Sequence, residues 1–235
     1  MADYNIIRAD EHAFGPDWAV ETKSGGHFKM SHSGHEYAWE KGFSIDFALT
    51  SGLSQTGQST RRYLSNMKGM FVSQESYDAV IRQGDPMIYQ FYELGCPAHP
   101  GDIAFGTSIT YPGKIGDEYY FTKGHFHTVL ETAEVYYCLS GTGIILIENP
   151  EGDSQALPVS PGQAAYIPKR YAHRSINVGN EPLVTFFAFR GDAGHNYGAI
   201  EKKGFRQIVV ERDGKPVVLA NPKWRRNHDS ITAAC

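Results

Sequence analysis

From Met87 onward the chain reads as short apolar runs, rich in aromatic and β-branched residues, separated by Gly and Pro. Such residues fit a pleated, half-buried surface, and the punctuation between them marks turns. The expected strands cover residues 87–94, 103–111, 118–121, 135–139, 144–148, 164–167, 173–177, 183–189, 205–210 and 216–219, with Ser140-Gly141-Thr142-Gly143 as a turn. Strands this short, at this spacing, predict an all-β sandwich or barrel. One helix is expected before them, over residues 73–83. Ser73 caps it, Glu75 suits its first turn, and Tyr77, Val80 and Ile81 form its apolar stripe. Gly84-Asp85-Pro86 stops it.

Residues 1–60 carry no such pattern. Stretches such as Ser31-His32-Ser33-Gly34-His35 and Thr50-Ser51-Gly52-Leu53 are polar and Gly-rich, so this part is expected to be an irregular extension over the core. His32 and His35 are read as solvated loop residues. The expected organisation is an extension over 1–60, a barrel domain over 61–225 and a polar tail over 226–235.

Composition narrows the classes of partner. The chain has 235 residues and a net charge of −4, with 14 Tyr and 13 Phe. No basic excess points to nucleic acid. No apolar run reaches the roughly 20 residues that span a bilayer. The start Met1-Ala2-Asp3-Tyr4 lacks the pattern of an export leader. Cys96, Cys138 and Cys235 are too scattered for a disulfide framework, and Cys138 falls in an apolar strand as a core residue. A cytoplasmic chain is expected, with no membrane partner.

The chemistry concentrates in Gly124-His125-Phe126-His127, followed by Glu134 and, far downstream, His173. Two His at i and i+2 of a strand face the same side. Three imidazoles and one carboxylate suit a divalent transition metal with open positions for substrate or water.

Glycine, two His and a Glu, followed by Pro161-Gly162, Ile167-Pro168 and Ala172-His173-Arg174, resemble the two motifs of the cupin superfamily. Longer stretches resemble the archaeal-type, cupin glucose-6-phosphate isomerase family. They are Tyr111-Pro112-Gly113-Lys114, Thr122-Lys123-Gly124-His125, Ala133-Glu134-Val135-Tyr136, and the discriminating run Asp192-Ala193-Gly194-His195-Asn196-Tyr197-Gly198. The resemblance runs from about Arg62 to Trp224. It implies a double-stranded β-helix (jelly-roll) barrel, a small-molecule sugar phosphate as substrate, and a homodimer.

Carried over residue by residue, the resemblance implies His125, His127, Glu134 and His173 as ligands of one divalent metal. That metal is expected to be Fe2+, with Mn2+, Zn2+ or Ni2+ as substitutes. It implies Ser108, Thr122 and Gly124 around the phosphate, Tyr89, Tyr136 and Tyr197 in the sugar pocket, and Glu134 and His195 as catalytic groups. Ser108 stands where the family has threonine, and Phe189 where members have tyrosine, so Phe189 is left out of the expected site. Lys123 is read either as a phosphate contact or as a surface charge. Arg174 should point away from the ligands into a structural salt bridge. His195 is read as a proton shuttle, with a structural loop histidine as its plainer role. Two routes stay open for an aldose–ketose conversion: removal of the C2 proton by Glu134, or direct hydride transfer. The competing functions are an iron-dependent cupin dioxygenase and a non-catalytic sugar-phosphate-binding cupin.

Overall fold

The computed structural model describes residues 39–53, 59–94 and 96–224. His32, His35, Cys235 and the expected tail over 226–235 lie outside the described residues. Strand β1 (Thr60–Tyr63) leads through a 3-10 turn (Leu64–Met67) to helix α1 (Gln74–Gln83). Strands β2 (Met87–Leu94), β3 (Ile103–Thr110), β4 (Lys114–Ile115), β5 (Glu118–Tyr119) and β6 (Phe126–His127) follow. Next come β7 (Glu134–Ser140), β8 (Gly143–Glu148), β9 (Ser154–Val159), β10 (Ala164–Ile167), β11 (Ala172–Asn177) and β12 (Leu183–Arg190). Strand β13 (His195–Asn196), helix α2 (Gly198–Lys203), β14 (Gln207–Arg212) and β15 (Lys215–Ala220) complete the order.

The main sheet has six antiparallel strands in the order β1-β2-β3-β12-β7-β10, and a second has the order β11-β8-β9. The turn at residues 140–143 therefore carries the chain from one sheet to the other, since β7 and β8 are not partners. One core cluster joins Tyr136, Cys138, Phe187 and Phe189 of the first sheet to Ile145, Ile147 and Val159 of the second. The alternate residues Ile144 and Leu146 enter a second cluster with Tyr89, Phe121 and Phe205. Strand β8 is thus buried on both faces, which explains its unbroken apolar run. Smaller sheets, β15-β14-β5-β4 and β13-β6, close the ends.

Helix α1 forms as its sequence predicts. The Ser73 hydroxyl accepts the Ser76 N–H at 3.1 Å, and the Gly84 N–H donates to Val80 and Ile81 carbonyls. Part of the extension packs on the outer face of the main sheet. Phe43 and Phe47 meet Phe105 and Phe186 there, and the Thr107 hydroxyl donates to the Gly52 carbonyl at 2.6 Å.

Several expectations are corrected. Strand β9 was not foreseen. It carries an exposed Pro158, which is tolerated because β9 is an edge strand. The expected strand over 205–210 starts at Gln207, since Phe205 is buried in the preceding loop. The expected strand over 118–121 ends at Tyr119, with Phe121 held by an isolated bridge to Ile176. Strands β4, β6 and β13 are two residues each, too short to carry a period.

Glu118 is a buried carboxylate in this end of the core, 4% exposed, accepting the Val72 N–H at 2.8 Å. Burial pushes its pKa up to about 7, against the pull of the Val72 N–H and Arg174. A carboxyl that is raised on folding is easier to bury protonated. Its contribution to stability is therefore lost as pH rises from about 4.5 through about 7. Glu118→Gln keeps an acceptor for Val72 and removes the ionisation. Chemical denaturation at pH 5 and pH 8 should show a pH-dependent loss smaller by roughly 1–3 kcal/mol in the variant; equal losses in the two proteins would refute the assignment.

Candidate active site

His125 sits at a bridge to His173, with the His125 N–H donating to the His173 carbonyl at 3.3 Å and the return bond at 3.1 Å. His127 follows on β6, Glu134 opens β7, and His173 is the second residue of β11. Ligand atoms of these four residues lie within 4.8 Å of one another. The fold therefore gathers the whole expected ligand set.

Hydrogen bonding fixes how the imidazoles present themselves. His127 Nδ1 lies 2.6 Å from the Thr132 hydroxyl, which itself donates to the Val129 carbonyl at 2.7 Å. The Thr132 oxygen must then accept, so Nδ1 carries the proton and Nε2 is left with a lone pair. His173 Nδ1 likewise faces the Tyr171 carbonyl at 3.4 Å. Nε2 of both rings stands 3.0 Å from the same oxygen, Glu134 Oε2. His125 Nε2 is buried without a hydrogen-bond partner. Lone pairs turned toward a carboxylate repel one another unless a cation lies among them. The donor set therefore fits a divalent metal ion.

The electrostatics agree. Burial and the neighbouring histidines hold His125 well below its ordinary pKa, so it stays neutral. Burial would raise Glu134, yet the imidazoles of His173, His127 and His125 around it act the other way and hold it below the usual carboxylate range.

A pocket with about 470 Å³ of empty space opens beside these ligands. Ser108, Thr122, Gly124, Tyr89, Tyr136, His195 and Tyr197 all line it, together with His125, Glu134 and His173. His127 stands behind this wall. The Thr122 hydroxyl accepts the Ser175 N–H at 3.0 Å, which leaves its proton free for a ligand. The His195 and His125 rings are 4.4 Å apart, and the Tyr197 ring stacks at 6.0 Å from His195. Burial lowers His195 to about 4, so it is a neutral imidazole near pH 7. Burial pushes Tyr197 up to about 12 and raises Tyr136, with Glu134 adding to the latter.

Two side chains sorted by alternation face away from the ligands. Lys123 pairs with Glu201 at 2.8 Å and does not line the pocket. Arg174 leaves the ligand face as expected, but the expected salt bridge is replaced by a sandwich. Its guanidinium lies 4.2 Å from both the Phe121 and Phe205 ring centres and donates to the Lys123 carbonyl.

Phe91, Glu93, Phe187 and Phe189 also line the pocket and were absent from the expected site. Tyr89, Phe91 and Glu93 share one face of β2 at i, i+2 and i+4, so extending the alternation from Tyr89 would have found two of them.

A family model described as glucose-6-phosphate isomerase matches residues 61–225. The chain is 40% identical over 187 residues to a glucose-6-phosphate isomerase of Thermococcus litoralis, covering 80% of this chain and 98% of the relative. That of Pyrococcus furiosus is 40% identical over 188 residues, covering 80% and 100%. That of Sinorhizobium medicae is 31% identical over 193 residues, covering 81% and 90%. The chain belongs to the glucose-6-phosphate isomerase family. Its barrel is the cupin type of that family. Among solved structures, an oxalate oxidase aligns with TM-score 0.40 and 16% identity over 48% of this chain and 56% of that chain.

In this family member, Gly124 sets the first ligand. Its φ is +74°, and a Cβ there would fall 2.7 Å from Phe205 Cε2 and 2.8 Å from the His173 carbonyl oxygen. Gly124→Ala should destabilise the fold by about 2 kcal/mol and reduce bound metal by displacing His125. Thermal unfolding and metal analysis of the purified variant check this; wild-type values for both would refute it.

Proposed function

We propose that the chain interconverts glucose 6-phosphate and fructose 6-phosphate with the aid of a divalent metal. The observation that carries this reading is the gathering of three imidazoles and Glu134 beside one pocket, in a chain of the glucose-6-phosphate isomerase family. Family membership favours this reading over an oxygen-using cupin or a non-catalytic sugar-phosphate binder.

The residues divide the work. His125, His127, Glu134 and His173 would hold the metal, with Fe2+ as the proposed native ion and Mn2+, Zn2+ or Ni2+ as substitutes. When bound, it would polarise the substrate carbonyl as a Lewis acid. Ser108 and Thr122 hydroxyls and the Gly124 amide offer neutral hydrogen bonds to the phosphate. The Tyr136 and Tyr197 rings pack beside the sugar, and Tyr89 closes the phosphate end. Neutral His195 can accept the hydroxyl proton that ring opening releases. Glu134, ionised in the folded chain, would be the base on the route that removes the C2 proton, with direct hydride transfer between C1 and C2 as the other route. Aromatic walls from Phe187 and Phe189 keep water from the reacting carbons.

A cytoplasmic homodimer belongs to the same proposal. Among the described residues, no helix is long and apolar enough to cross a membrane. Exposed Ile103, Tyr137 and Tyr166 lie on β3, β7 and β10 of the main sheet, where a second copy could cover them. Light scattering that returned the monomer mass of 26.1 kDa would dismiss the dimer.

In an assay coupled to a dehydrogenase acting on glucose 6-phosphate, the metal-loaded protein should turn over fructose 6-phosphate. A chelator should abolish turnover, and Fe2+ or Mn2+ should restore it. His173→Ala should lower metal affinity at least about tenfold and reduce kcat. Absence of turnover after loading with either metal would overturn the proposal.

A further inference from the structure

The two ends of the pocket differ in charge. One end carries Thr122 and Gly124 with Tyr89 near them, and Ser108, opposite Phe91, lines the middle. Tyr89, Phe91 and Glu93 run along one face of β2, which separates Glu93 from Tyr89 by about 13 Å of strand. The pairing with β3 agrees, since Tyr89 lies opposite Thr110, Phe91 opposite Ser108, and Glu93 opposite Gly106. Gly106 offers no side chain to cover the carboxylate, because a Cβ there would fall 1.8 Å from the Tyr92 carbonyl oxygen.

Glu93 Oε2 stands 4.0 Å from His195 Nε2, and both side chains are about a quarter exposed. Among the described residues, no Lys or Arg pairs with Glu93. The charge that reaches it is that of Glu134, and Glu93 in turn raises Tyr136, Tyr197 and Cys96.

We propose that Glu93 is a specificity residue, accepting hydroxyl protons from the uncharged end of a sugar monophosphate and repelling ligands with a second anionic group there. The inference rests on the isomerase reading for the class of substrate. It gives the pocket a direction: the phosphate enters the neutral end, and a bisphosphate has no place for its other phosphate. Discrimination comes from an unfavourable contact with the wrong ligand as much as from good contacts with the right one.

Calorimetric binding of fructose 6-phosphate and fructose 1,6-bisphosphate to metal-loaded full-length protein tests this. The wild type should prefer the monophosphate. Glu93→Gln and Glu93→Ser should each shift the ratio of the two affinities toward the bisphosphate on the order of tenfold. Glu93→Asp, which keeps the charge, should retain the wild-type preference. An unchanged ratio in either neutral variant that keeps a cooperative unfolding transition would overturn the proposal. The coupled assay on the same samples reports separately on the reaction. Turnover by the wild type with an unchanged ratio refutes the role of Glu93 alone, whereas a shifted ratio without turnover supports Glu93 and refutes the isomerase reading.

Discussion

Nε2 atoms of His127 and His173 point at one carboxylate oxygen, Glu134 Oε2, because their Nδ1 protons are committed elsewhere. Everything else in the pocket is arranged around that meeting. Thr132 and the Tyr171 carbonyl orient the rings from behind. The bridge between His125 and His173 brings the third ring alongside, and Gly124 permits the backbone path that makes the bridge. The Ser108 hydroxyl, Tyr89, Tyr136 and the phenylalanines lie beyond this cluster on β2, β3, β7 and β12, with Thr122 and Tyr197 outside those strands. Burying so many lone pairs together is costly unless a cation shares them, so the barrel interior is stable there only as part of a functional site.

Polar burial elsewhere is handled differently. Glu148 is fully buried, yet it accepts the Arg206 N–H at 2.6 Å and lies 3.3 Å from Lys203. Arg174 is held between two aromatic rings, a neutral way to bury a cation. In both places protein groups do the balancing. At the imidazole cluster they do not, which sets it apart from the structural polar pairs nearby.

Much of this was legible in the sequence for definable reasons. The long strands β2, β3, β7, β8 and β12 carry enough aromatic and aliphatic residues to announce themselves, and α1 has both its cap and its stripe. The ligand residues are legible because His, His, Glu and His are chemically distinctive and sit in motifs. What stayed hidden depends on contacts between distant segments. Two-residue strands such as β6 and β13 exist only because their partner is present, and β9 because an edge tolerates Pro158. Arg174 looked like a salt-bridge residue because its aromatic neighbours, Phe121 and Phe205, are far from it in sequence. Glu93 was not singled out, although it shares a face of β2 with Tyr89 at i+4.

The crossing at residues 140–143 has a mechanical meaning. Glu134 belongs to the six-stranded sheet and His173 to the three-stranded one, so the cluster spans the seam between two independently hydrogen-bonded layers. It works as a clasp. Any slip of one layer against the other would part the carboxylate from its imidazoles before it disturbed a single ladder hydrogen bond. The cluster is therefore the most sensitive gauge of how the two halves of the barrel are registered, and a close-packed interior passes small shifts across that seam with little loss. Substitutions deep in the shared core, around Ile145, Ile147 and Phe187, would reach the ligands through this seam, Ile147 directly as the strand partner of His173.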